Sequence, residues 1–143
     1  MGKLKFKNNQ LKFKLTPNHI ENGLINGETK ISIFSDFENE RFTVLSTEFS
    51  YDMKMFRTFL QKIEALKDDK TETAEFFEKK KNLIIKISNS SENESLANWD
   101  ILINKVITEN DYTRLSIGFS TSKTLLDSAI KEISYFLVNP TSF

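Results

Sequence analysis

A strand-like segment runs directly into an amphipathic helix twice in this chain, first as Phe49-Ser50-Tyr51-Asp52-Met53-Lys54-Met55-Phe56 and again as Phe119-Ser120-Thr121-Ser122-Lys123-Thr124-Leu125-Leu126. The two junctions are 70 positions apart, and at that offset Leu45, Phe49, Phe56, Leu60 and Ile63 align with Leu115, Phe119, Leu126, Ile130 and Ile133. No other feature constrains the fold as strongly, because the repetition implies two halves of one design, each a sheet followed by a helix. In the first helix Met53, Phe56, Phe59, Leu60, Ile63 and Leu66 recur at three- and four-residue steps and form one apolar stripe, with Asp52 placed to cap it. The second carries Leu125, Leu126, Ala129, Ile130, Ile133 and Leu137, with Ser122 or Thr121 as the expected cap and Asn139-Pro140 as the stop.

The segments before each helix read as strands. Leu4 and Phe6 alternate with Lys3, Lys5 and Lys7, and beyond Asn8-Asn9 the pattern resumes as Leu11, Phe13 and Leu15 against Lys12 and Lys14, which predicts a hairpin. Thr16-Pro17 is expected to end it, since proline has no amide donor for the ladder. A loop with turns at Asn22-Gly23 and Asn26-Gly27 is expected to follow. Residues 29–34 then form a strand with Ile31 and Ile33 on one face. Phe42 and Val44 share one parity while Leu45, Thr47 and Phe49 share the other, so a β-bulge is expected near Val44-Leu45. Residues 74–78 and 83–87 read as strands, the latter as a central one because it is apolar on both parities. Residues 88–95, rich in Ser, Asn and Glu, are expected to be a loop. Strands over 99–107 and 112–119 follow, joined by a turn at Asn110-Asp111, with Leu115, Ile117 and Phe119 inward. The expected fold is α+β: a curved antiparallel sheet or open sandwich of six to eight strands, with two amphipathic helices packed on it.

A chain of 143 residues is the size of a single domain. Twenty basic residues balance twenty acidic ones, so no overall field draws in nucleic acid or an anionic membrane. Without cysteine there are no disulfides, thiolate metal sites or thiol nucleophiles. His19 is the single histidine and has no nucleophile-elbow sequence to serve, and Gly2, Gly23, Gly27 and Gly118 cannot build a phosphate-cradling loop. These patterns imply no enzyme, no cofactor and no metal. The alternating lysines of Met1-Gly2-Lys3-Leu4-Lys5-Phe6-Lys7 exclude a signal-peptide core there, and no apolar run approaches membrane-spanning length, so a cytoplasmic protein is expected.

Function is then expected at the surface. The polar face of the first hairpin carries Lys3, Lys5, Lys7, Lys12 and Lys14, which read either as a phosphate-binding patch or as a solvated or lysine-guarded sheet edge. On that polar face no aromatic or arginine interleaves the lysines, which favours the second reading. The carboxylates Asp36, Glu38, Glu40, Glu72, Glu75, Glu78, Glu92 and Glu94 are the candidate contacts for a basic protein partner.

The order of these segments, from the lysine/phenylalanine hairpin through the helix starting at Asp52 and the run Leu83-Ile84-Ile85-Lys86-Ile87 to the closing unit that begins Leu115-Ser116-Ile117-Gly118-Phe119, resembles the WapI-type immunity proteins of bacterial polymorphic toxin systems. The resemblance spans nearly the whole chain and rests on length, segment order and the two strand-to-helix junctions. It implies a cytoplasmic protein that binds and neutralises a cognate toxin domain, often a nuclease, and performs no chemistry itself. A second reading, from the many phenylalanines, is a domain that binds a small apolar ligand between sheet and helix.

Overall fold

The computed structural model describes residues 3–8, 10–35, 40–47, 49–106 and 112–138. Elements run β1 (Leu4–Lys7), β2 (Leu11–Glu21), β3 (Leu24–Ser35), β4 (Glu40–Ser46), β5 (Ser50–Asp52), α1 (Met53–Lys67), β6 (Thr73–Phe77), β7 (Leu83–Asn89), β8 (Leu96–Val106), β9 (Tyr112–Ser122) and α2 (Thr124–Val138). This is an α+β fold. One antiparallel sheet has the order β1-β2-β3-β4 with β5 also paired to β3, and a second has the order β6-β7-β8-β9. Each is a meander followed by a helix, as the repeated junction implies.

The repeat extends into burial. At the offset of 70, Phe56, Phe59, Ile63 and Leu66 correspond to Leu126, Ala129, Ile133 and Phe136, and all eight are buried. Leu60 and Ile130 are both half-buried. The helices nevertheless do not pack chiefly on their own sheets. Helix α1 lies against β6, α2 lies against β1, and the two helices touch each other. Each half therefore covers the apolar surface of the other, and one continuous core joins them.

Aromatic rings mark the join. Phe76 of β6 meets Tyr51, Phe56 and Phe59 of the first half at centroid distances of 5.6, 4.9 and 5.2 Å. Phe6, stacked on Phe13 at 5.0 Å, reaches Trp99 of the second sheet at 6.5 Å. Burying each large apolar side chain contributes about 1.5–3 kcal/mol before chain entropy is subtracted, so this layer is the main source of stability.

Local chemistry explains the element ends. Asp52 caps α1 by accepting from the Lys54 amide at 2.9 Å, and Asp69 closes its C-terminus in the left-handed region at φ 56°. Neither expected hydroxyl is a cap at α2: Thr121 is buried at the end of β9, and the Lys123 carbonyl accepts from the Leu126 amide at 3.0 Å where the helix begins. Residues 88 and 89 belong to β7, so the Ser/Asn/Glu loop is shorter than its composition suggested. The Asn110-Asp111 turn and the Asn139-Pro140 stop lie outside the described residues.

Three expectations for the first sheet are corrected. Strand β2 does not stop at Thr16-Pro17 but continues to Glu21, and the two-residue turn Asn22-Gly23, at φ 53° and 78°, folds it back into β3. Such a turn needs positive φ at both residues, and Asn-Gly supplies it. Asn26-Gly27 is not a turn: Gly27 lies in β3 opposite Pro17, where an added Cβ would sit 2.7 Å from the Pro17 Cα. The missing side chain lets the proline ride in the ladder, and the strand takes up the strain in a register shift between Pro17 and His19. No bulge occurs at Val44-Leu45. The β3–β4 register runs unbroken from Thr29↔Ser46 to Ser35↔Glu40, and the change of parity is absorbed by a break before β5. Leu45 therefore points outward, unlike its counterpart Leu115, which is half-buried.

Candidate functional site

The inner face of the first sheet is apolar, so its alternate residues form a continuous outer face. Register fixes who meets whom there. One row crosses four strands as Lys5↔Lys14, Lys14↔Lys30 and Lys30↔Leu45. The next crosses them as Lys7↔Lys12, Lys12↔Ser32 and Ser32↔Thr43. A third adds Phe34 opposite Arg41. Rows are about 6.8 Å apart along the strands and neighbours about 4.8 Å apart across them, so five lysine stems rise from an area barely wider than one Debye length.

Like charges directly opposite on one sheet face repel. The consequence is visible at Lys12, whose pKa is pushed below the ordinary lysine value chiefly by Lys5, then by loss of hydration, then by Lys7, Lys30 and Lys14. Among the described residues Lys67 pairs with Asp127 and the His19 ring contacts Glu21, and neither contact draws on these lysines. A shallow groove of about 210 Å³ opens on this face, bordered by Lys7, Lys12, Lys30, Ser32, Phe34 and Arg41. The outward positions of the first hairpin carry lysines without an arginine or an aromatic among them; pairing with β3 and β4 brings in both. The signal that could have found them is parity, since Phe34 shares the even positions of β3 with Lys30 and Ser32.

Among the described residues the candidate carboxylates do not gather as one exposed face. Asp36 and Glu38 lie outside the described residues, and Glu40 is placed as the first residue of β4. Glu78 is only 1 % exposed and is consumed by the fold: its carboxylate accepts from the amides of Lys80 at 2.8 Å, Asn82 at 2.7 Å and Ser50 at 3.3 Å. Glu75 is exposed on β6, where it sits opposite Lys86 of β7. Glu72 borders a polar groove of about 570 Å³ with Asp69, Ser88, Asn89, Ser90 and Ser91. Glu92 and Glu94 are exposed on the loop that continues from Ser91. Structure thus brings Glu72 toward the Ser/Glu loop and sets Glu75 and Glu78 apart from it.

Among the described residues no group of three or more His, Cys, Asp or Glu is placed to hold a metal ion, and no helix is long and apolar enough to cross a membrane. His19 is exposed and contacts Glu21 at 2.9 Å. The phenylalanines Phe6, Phe13, Phe56, Phe59, Phe76 and Phe136 are buried against one another or against Tyr51 and Trp99 as part of the core.

No protein-family model matches the chain, and no curated protein does. A solved structure described as MRP1/MRP2 of Trypanosoma bruciei is similar over 96 % of this chain and 81 % of its own, at 7 % identity and a TM-score of 0.40. A likeness that remote carries no argument about family or function.

Proposed function

We propose that this chain is a non-enzymatic binding protein of the immunity type, which acts in the cytoplasm by docking on a cognate toxin domain and occluding its working surface. The observation that supports this reading is the outer face of the first sheet, where Lys5 opposes Lys14 and Lys14 opposes Lys30. Such an arrangement costs the free protein stability. Lysines on the edge strand β1 guard it against further pairing, but Lys14 and Lys30 lie on the inner strands β2 and β3, where facing like charges do nothing for the fold, whereas a docking face gains both rate and selectivity from them. The reading needs no reacting group: inhibition follows from covering the toxin.

The experiment is co-expression and co-purification of the full chain with the toxin domain encoded beside its gene. Recovery of a stoichiometric complex that has lost toxin activity is the expected result. Survival of full toxin activity in the presence of excess chain would overturn the proposal.

A further inference from the structure

The docking face has a definite chemical preference, and it is opposite to the one read from the carboxylates. We infer that the occupant of the outer face of the first sheet is an acidic protein surface that presents an apolar side chain beside its carboxylates. This deepens the binding-protein reading and rests on it.

Charge is the first support. Lys5, Lys7, Lys12, Lys14, Lys30 and Arg41 share this face, and its described carboxylates lie toward the Asn22-Gly23 turn: Glu28 opposite Thr16, and Glu21 and Asp52 on either side of Leu24. The spacing of the cations makes them act together on an approaching anion, because each lies within about a Debye length of the next at physiological salt. The second support is Leu45. It is 54 % exposed, stands directly opposite Lys30, and closes the row Lys5–Lys14–Lys30 at its β4 end. Register places it next in line after Lys14 and Lys30, so the row reads as cations with one apolar anchor at its end.

That anchor separates a protein from a phosphate chain. A single-stranded nucleic acid is held by aromatic platforms on which its bases stack. Here the aromatic on the face is Phe34, which is half-buried and sits in the groove beside Arg41, two rows from Leu45. An exposed leucine has nothing to offer a phosphodiester. Against an acidic protein it supplies the apolar contact at the centre or rim of an interface, with charge pairs beside it steering approach.

Three fluorescent probes of equal length and charge test this with the full chain: a peptide alternating glutamate and leucine, one alternating glutamate and serine, and oligothymidylate. The glutamate/leucine peptide is expected to bind tightest, about tenfold better than the glutamate/serine peptide, the preference that one buried leucine contact provides. Lys14→Glu with Lys30→Glu should abolish binding of both peptides, while Lys131→Glu on the exposed side of α2 changes net charge and leaves binding intact. Leu45→Ser should erase the preference between the two peptides without weakening the glutamate/serine one. The three positions lie on the outer face, and although the two new carboxylates oppose each other, one of them now faces Lys5, so thermal unfolding of the variants should stay close to that of the parent. Tighter binding of oligothymidylate than of either peptide would overturn the inference while leaving a binding protein. Failure of all three probes, or binding indifferent to Lys14 and Lys30, overturns it outright. Co-purification of the toxin domain in the same experiment would then show that a binding protein remains but uses another face.

Discussion

Glu78 and Ser50 tie the two halves of the chain together: the Glu78 carboxylate accepts from the Ser50 amide at 3.3 Å, and the Ser50 carbonyl accepts from the amide of the adjoining Lys79 at 2.7 Å. The same carboxylate closes the β6–β7 turn through the amides of Lys80 and Asn82. Glu78→Ala leaves these three part-buried donors without their acceptor. Each unsatisfied buried group costs about 1–3 kcal/mol, so denaturant unfolding should show a loss of about 3 kcal/mol or more. Glu75→Ala, two residues earlier and exposed, should stay within about 0.5 kcal/mol of the parent.

The crossed helices make each half dependent on the other. Phe76 packs on Tyr51, Phe56 and Phe59, so Phe76→Ala opens a cavity at the join and should cost about 3–5 kcal/mol in a single cooperative transition. A fragment ending at residue 70 should lack fixed structure as a monomer, because α1 would have no β6 to cover it. Circular dichroism and amide exchange of that fragment would check this. A folded, monomeric fragment would contradict the packing.

Tyr51 is fully buried, and its hydroxyl shares a hydrogen bond of 2.7 Å with the Thr29 hydroxyl. Burial pushes its pKa far above the ordinary tyrosine value, the Thr29 bond partly offsets this, and the charge of Glu78 adds to the rise. The folded state therefore holds this proton more tightly than the unfolded state. Its contribution is complete below the unfolded value near about 10, and is lost at up to ~1.4 kcal/mol per pH unit as pH climbs from there toward the folded value. Unfolding free energy measured between pH 8 and 11 should fall accordingly. Tyr51→Phe should flatten that slope, at the cost of an unpartnered Thr29 hydroxyl.

Gly27→Ala should be among the most damaging small substitutions. The new methyl would meet the Pro17 Cα at 2.7 Å and the Thr16 carbonyl closer still, and both are backbone atoms that move only with the strand. A loss of about 2–4 kcal/mol is expected from overpacking of this kind. At Gly23 the space is open and the obstacle is φ 78° alone, so Gly23→Ala should cost about 1 kcal/mol. Thermal denaturation of the pair would separate a steric effect from a conformational one.

Side-chain period made much of this fold readable before any coordinates. The helical stripes of Phe56, Ile63, Leu126 and Ile133, the Leu4/Phe6 and Phe13/Leu15 hairpin and the Asp52 cap are local patterns, fixed by steps of two or of three and four residues along the chain. The misreadings share one cause. Rules for Pro17, Gly27 and Leu45 in isolation give way to their neighbours: Gly27 clears the room that Pro17 needs, and the break between β4 and β5 lets Leu45 face outward. A carboxylate such as Glu78 reads as a surface acid because carboxylates are usually solvated; three backbone amides satisfy it when buried.

By itself the sequence determined that the chain is a twofold repetition of strands and a helix, since the two junctions 70 positions apart carry the same apolar spacing, and that it lacks thiol chemistry. Only the tertiary structure decided that the halves exchange helices, and that Lys5, Lys14, Lys30 and Leu45 stand in one row while Glu78 is buried apart from Glu72 and Glu75. The physical reason is range. A helix stripe or an alternating strand is encoded between near neighbours, whereas a row across four strands joins residues up to 40 positions apart, and register alone brings them together.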